Sequence, residues 1–331
     1  MRLRYPAYFE TFRCIASACP DSCCKEWDVL VDEESAARYM TMEGARGEHL
    51  RRHLRRDGED WYFTITDGRC PLWRQDGLCR IQAEAGHEAL CQTCRDFPRL
   101  THDYGDFVER GLELSCPEAA RMIFSEEHRW IEQEVSGGEA PEYDAADMEV
   151  LLRTRDIMLT LLEDPSHSVS QTLTLALLYG YRAQDELDGA EAVEFDPEEE
   201  LAFARSVAKP GDPAKLVEFY AGLEILTDQW RSRLATPHPE DAWDEKLRIF
   251  ACYGVERYWL QAISDFDLVG RVKMIVASCL LVWHLGGDLV QTAQLYAKEI
   301  ENNADNVDAI LDGAYSSPAL TDENLLGLLL H

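Results

Sequence analysis

Nine of the chain's eleven cysteines fall in its first 116 residues: Cys14, Cys19, Cys23, Cys24, Cys70, Cys79, Cys91, Cys94 and Cys116. Their spacing is C-x4-C-x3-C-C, then C-x8-C-x11-C-x2-C-x21-C. Thiolates are soft ligands, and so many in one short region suit a soft metal or an iron–sulfur cluster. The front of the chain is therefore expected to fold around sulfur. The back, with only Cys252 and Cys279, must find its core elsewhere.

The odd total of 11 argues against a complete disulfide framework. The N-terminus, Met1-Arg2-Leu3-Arg4-Tyr5-Pro6, lacks the apolar stretch of a secretory signal. The longest strongly apolar run, Met274 to Leu285, is too short to span a bilayer. These features predict a cytoplasmic protein with no membrane partner, where thiols stay reduced and serve as ligands.

Four thiolates complete one tetrahedral zinc or one four-iron, four-sulfur cluster, so the nine serve one site with spares or two sites. Spacing alone does not choose between zinc and iron. His49, His53, His87 and His102 do not fall at zinc-finger spacings relative to the thiols.

Charge is the second constraint. The net charge is -30, and it is uneven: residues 1–120 hold 22 acids and 16 bases, residues 121–331 hold 40 and 16. Such a surface repels phosphate, which argues against nucleic acid as partner. It attracts basic proteins, or it only keeps the chain soluble.

With 331 residues, two domains are expected. The fold class read from the sequence is a cysteine-rich α+β metal-binding domain, residues 1–133, a linker over 134–147, and an all-α domain over 148–331. The whole is mainly helical. Strands are expected at Trp27–Val31, Trp61–Thr66 and Phe107–Leu114, and Asp32 is placed to cap a helix from Glu33. Asp67-Gly68 and Asp76-Gly77 read as turns. Pro117 suits the first position of a helix running to about Glu127. Cys116 would then sit at its positive end, where a thiolate is favoured. In the back half, apolar periodicity predicts helices over 148–163, 170–185, 197–207, 213–234, 241–262, 266–285 and 287–303. The stretch 268–285, apolar on nearly all sides, belongs at the centre of that core.

The flanking residues carry a resemblance. Tyr8-Phe9-x2-Phe12-x-Cys14-Ile15-x4-Cys19-x-Asp21-Ser22-Cys23-Cys24-x2-Trp27 resembles the opening of the flagellin lysine-N-methylases. So do Cys70-Pro71-Leu72 with Gly77-Leu78-Cys79-x-Ile81-Gln82, Leu90-Cys91-x2-Cys94-Arg95-x-Phe97-Pro98-Arg99, and Glu113-Leu114-Ser115-Cys116-Pro117-Glu118-Ala119-Ala120. Together they cover about residues 5–124. Broader relatives are described as carrying a zinc- or iron-chelating cysteine domain. The resemblance implies methylation of lysine side chains on flagellin or another lysine-bearing protein, with S-adenosylmethionine as donor and an iron–sulfur cluster in the protein.

Composition and periodicity do not show that activity. The glycine-rich loop of dinucleotide-like folds is absent, and so is the C-x3-C-x2-C signature of radical S-adenosylmethionine enzymes, because Cys24 directly follows Cys23. Two non-methylase readings stay open: a non-catalytic zinc- or iron-binding interaction module, and an iron–sulfur electron-transfer protein.

Methylating an amine requires a neutral nitrogen, so a proton acceptor is needed. Asp21, among the cysteines, is the first candidate; its plainer role is to accept backbone N–H bonds within the Cys19–Cys23 loop. Tyr8 and Tyr104 are weaker candidates that commonly just pack. Arg95 and Arg99 either offset the charge of a thiolate-held cluster, bind the donor's carboxylate, or pair with surface acids. Trp27 and Phe97 read as core wedges against the metal loops. Cys252 and Cys279, at apolar helical positions, read as small buried hydrophobes.

Overall fold

A computed structural model describes residues 1–138, 140–239 and 242–331. About 57% of the chain is helical, so the class is mainly helical. Two small sheets occupy the front. The first has the order β5-β6-β1-β7, from β1 (Arg2–Pro6), β5 (Arg99–Asp103), β6 (Phe107–Leu112) and β7 (Trp130–Glu134). β1 and β6 run parallel, with Arg2 opposite Phe107, and β7 is antiparallel to β1, with Tyr5 opposite Ile131. Everything between β1 and β5 is thus an excursion from one sheet. Within it lies the second sheet, order β2-β4-β3: β2 (Val29–Val31), β3 (Leu54–Asp57) and β4 (Asp60–Phe63).

Two hydrophobic cores follow. The smaller gathers Val29, Val31, Tyr39, Leu50, Leu54, Phe63, Leu72, Ile81 and Leu90, together with Cys70 and Cys91. The larger joins the helices of the back half to the first sheet: Tyr5, Phe9, Phe12, Phe107, Leu112 and Leu114 share it with Trp230, Trp259 and the helix Leu268–Leu285. The first 133 residues therefore contribute to both cores, and the cysteines lie along the seam.

The helix Leu268–Leu285 sits where its pattern placed it, buried on nearly all sides. It is the one helix among the described residues long and apolar enough to cross a membrane, and 89% of it is buried inside the fold. Its two interior charges are satisfied. Arg271 donates to Asp265 (2.8 Å) and to the Tyr258 carbonyl (3.0 Å); Lys273 donates to the Ala314 carbonyl (3.1 Å).

Local chemistry explains where elements start and stop. Asp32 caps the helix Glu33–Thr41, accepting from the Ser35 N–H at 2.8 Å. β2 begins at Val29 rather than Trp27, because Glu26 has φ +75°, which turns the chain before the strand. β4 stops at Phe63, and Thr66 instead pairs with Arg69 around the Asp67-Gly68 turn. β6 ends at Leu112, and the helix after Cys116 runs from Pro117 to Ser125. β7 is absent from the sequence reading: after Trp130-Ile131 it continues Glu-Gln-Glu, which gives no alternation. Its last residue, Glu134, and the helix start at Ala145, capped by Asp144, trim the expected linker at both ends.

The single helix expected over 213–234 is two, Pro213–Ala221 and Asp228–Ala235. Gly222 ends the first and the Thr227 side chain caps the second, while both bury the same apolar period. Two helices beyond residue 303, Ala304–Ser316 and Asp322–Leu330, complete the core unannounced.

Candidate functional site

The thiols are brought together by short helices and turns at the seam. Asp32 Oδ2 accepts from the Gln92 N–H at 2.7 Å, and Tyr39 donates to the Ala89 carbonyl at 2.7 Å. These bonds fix the head of the helix Gln92–Asp96, which carries Cys91 at its cap and Cys94 one turn later. Cys70 N–H donates to the Cys24 carbonyl at 2.8 Å, clamping two cysteine loops face to face. Trp73 pairs with Cys79 across the Asp76-Gly77 turn.

One cavity, of about 620 Å³, is lined by Cys14, Cys19, Cys23, Cys79, Cys94 and Cys116. Cys70 and Cys91 are buried in the smaller core, with Cys24, Cys79 and Cys94 packed against it. The thiols act on one another as one connected set, since Cys24 acts on Cys23 and Cys23 acts on Cys94. Cys14 and Cys19 act on Cys116, and Cys14 and Cys116 act on Cys23. Cys24, Cys79 and Cys91 act on Cys70.

Burial dominates the acidity of Cys19, Cys70, Cys79 and Cys116. It pushes the Cys70 thiol up to about 12 and the Cys116 thiol up to about 11. The expectation of a thiolate at Cys116 therefore needs correcting. The N–H groups of Ala119 and Glu118 do pull its pKa down, but desolvation outweighs them. In the adjacent pair, a hydrogen bond between the thiols raises Cys23 and lowers Cys24.

Among the described residues, no three His, Cys, Asp or Glu side chains are grouped as a metal site. What the fold supplies is a donor set: soft sulfur, six cysteines lining one space, with Cys14 and Cys23 exposed and the other four half-buried. Ser115, 3% exposed, also lines that space, and its Oγ has no hydrogen-bond partner among the described residues. Thiols lose protons when they bind metal, so a cation would offset the burial penalty on the Cys79 and Cys116 thiolates. In kind and number the cysteines suit a thiolate-held group.

The residue that sequence reasoning missed is Lys298. It lies in a π-helical turn, Ala297–Glu301, and is 3% exposed. Its Nζ donates to both Asp21 oxygens at 2.9 Å and to Glu26, and stands 5.4 Å from the Trp27 ring centre. Burial pulls its pKa down; the two carboxylates more than reverse this, so the net shift is upward. Its partner Asp21 is 277 residues away in the chain, so no local pattern could have joined them. Gln294 reinforces the contact, donating to Asp21 (3.3 Å) and to the Ser115 carbonyl (2.6 Å).

Asp21 thus faces the cavity with its carboxylate held by an ammonium; its bonds run to Lys298 and Gln294 rather than to its own loop. Arg95 and Arg99 line the same cavity. Arg95 stands 3.9 Å from Asp96, while Arg99 lies over the Phe12 ring at 5.1 Å and has no carboxylate partner among the described residues. Trp27 and Phe97, expected as core wedges, belong to neither core. They stand 6.4 Å apart, half-buried, as a wall of the cavity. Tyr8 and Tyr104 pack away from the thiols, on His128 and Phe107. Cys252 and Cys279 are buried in the larger core.

No family model matches the chain, and neither does any solved structure. It is 33% identical over 128 residues to the flagellar biosynthetic protein FliU of Salmonella muenchen, a stretch covering 37% of this chain and 76% of that protein. It is 33% identical over 129 residues to a lysine-N-methylase of Salmonella typhimurium, and 32% over 128 residues to one of Salmonella choleraesuis. Each of those matches covers 37% of this chain and 32% of the relative, so the chain matches about a third of the length of these two.

Proposed function

The chain belongs to the lysine-N-methylase family, and from that premise we propose that it methylates lysine ε-amines on a protein substrate, with flagellin the first to test. The methyl donor in this reading is S-adenosylmethionine. The thiol cavity holds an iron–sulfur cluster, with zinc as the alternative, and the reaction takes place in the cytoplasm, where thiols stay reduced. The observation that carries the reading is the convergence of six thiols, an orphan Ser115 hydroxyl and the Lys298–Asp21 pair on one cavity, in a chain of this family.

The chain's own residues divide the work. Cys14, Cys19, Cys23, Cys79, Cys94 and Cys116, which line the cavity, would supply the ligands, with Cys24, Cys70 and Cys91 beside them. A bound thiolate-held group would tie the loops together, and iron would add redox capacity that zinc lacks. Arg99, lacking a carboxylate partner, is placed to take the donor's carboxylate, with Arg95 beside it. Lys298 holds the Asp21–Trp27 segment against the helical half, so the thiols keep their register with the chamber.

The test is transfer of methyl groups. Protein purified and reconstituted without oxygen, given S-adenosylmethionine and flagellin, is expected to add whole methyl increments to flagellin lysines, read by mass spectrometry. Absence of any increment on flagellin and on a mixture of lysine-bearing proteins would remove the methylase reading. The strong acidity of the back half favours one other reading, a non-catalytic metal-binding module that docks a basic partner. It predicts stable binding of such a partner with no mass change.

A further inference from the structure

Behind the Trp27–Phe97 wall lies a second cavity, of about 680 Å³. It shares Cys23, Trp27, Cys94, Phe97 and Lys298 with the thiol cavity, so the two spaces meet across one aromatic partition. Each is of a size that takes a ligand rather than a few waters. Its outer end is marked by the exposed Asp28, Glu224 and Asp305, and its inner surface includes the half-buried Glu113.

The partition already binds a lysine. The Lys298 ammonium stands 5.4 Å from the Trp27 ring centre, the distance at which an aromatic face attracts a cation. The fold therefore displays, within the chain, the contact an incoming lysine would make.

We propose that this second cavity is the acceptor channel, taking the lysine side chain of a basic protein segment and presenting its ε-amine at the partition shared with the thiol cavity. The inference rests on the methylase reading and adds to it the place where the acceptor binds. The rim acids draw in the cation, the aromatic pair holds the aliphatic stem, and the amine arrives beside the chamber assigned to the donor.

Before attack the ammonium gives up its proton. Asp21 is held by Lys298, so the proton passes to water at the open end of the channel. The amine lone pair then forms the N–C bond to the donor methyl as the C–S bond breaks. The bonding pair stays on sulfur, and the sulfonium becomes a neutral thioether.

The test uses the full chain and a fluorescein-labelled decapeptide of alternating glycine and lysine, read by anisotropy. A glycine–norleucine peptide is the control. The lysine peptide is expected to bind and the norleucine peptide not. Trp27→Ala should weaken binding by about fivefold, Trp27→Phe should retain most of it, and Glu224→Gln with Asp305→Asn should weaken it by about fivefold at low salt. Glu191→Gln with Glu194→Gln, exposed acids outside the channel, should leave binding unchanged. Equal losses in that remote pair, or equal binding by every variant with unchanged circular dichroism, would overturn the channel. Specific peptide binding without methyl transfer retains the channel and removes the methylase. Methyl transfer with a KM indifferent to Trp27→Ala and to the rim pair removes the channel and retains the methylase.

Discussion

The helical core and the smaller core around Tyr39 and Phe63 are held together by different physics. The larger buries whole helices: Leu268–Leu285 is enclosed almost completely, and Trp230 and Trp259 are fully buried. Burial on that scale is stabilising without help, at about 2 kcal/mol for each large apolar side chain. The smaller has only about a dozen buried residues, two of them cysteines, and depends on polar clamps from Asp32, Arg38 and Tyr39. A core that thin is where a metal staple adds most. The lesson is a division of labour: the helices form a rigid platform, and the thiol loops are fastened to it by a few charged bonds.

That contrast is open to attack at graded strengths. Trp259→Ala in the helical core should cost about 4 kcal/mol and lower the whole protein's unfolding midpoint in denaturant. A loss confined to the cysteine loops would contradict a shared platform.

Next in size is the weld between the first sheet and the helices. Arg155, 2% exposed, donates to both Glu109 oxygens at 2.7 and 2.8 Å. Glu109→Gln leaves a buried guanidinium without its counter-charge, at a cost of about 3 kcal/mol, and should also act on global stability. Lys298→Met should cost less, about 2 kcal/mol, because Asp21 and Glu26 are partly exposed and can hydrate. Its signature is local: Cys23 and Cys19 become faster to alkylate, while Cys252 and Cys279, buried in the helical core, keep their protection. Asp32→Ala removes a helix cap and the Gln92 anchor at once; about 1 kcal/mol is expected, with Cys91 and Cys94 the thiols unmasked.

The smallest effect is a pH slope. Burial, then the charge of Arg257, holds the His102 imidazole below its ordinary range. The unfolded chain therefore takes up this proton first as pH falls. The contribution is fully present above the ordinary histidine value of 6.5 and is lost as pH drops through the folded value. His102→Gln should flatten the stability profile below the ordinary histidine value of 6.5.

The same contrast explains what the sequence made legible. Helix Leu268–Leu285 was readable because burial on all sides leaves an unbroken apolar run. The caps at Asp32 and Cys116 were readable because capping is local. The break at Gly222 was hidden, since both flanking helices keep one apolar phase. β7 was hidden because an edge strand needs no alternation. For the site, the cysteines and the family motifs marked which residues gather. Lys298, the Asp21 contact and the second cavity left no trace, because each depends on residues more than 200 positions apart meeting at the seam.

The most direct test of the central claim is the iron and acid-labile sulfide content of protein purified without oxygen, measured for wild type and for Cys23→Ser and Cys116→Ser. The account predicts iron and sulfide in wild type, a marked loss of both in each variant, and retained helical circular dichroism. Full occupancy in both variants, or folded wild type that binds neither iron nor zinc on reconstitution, would contradict it.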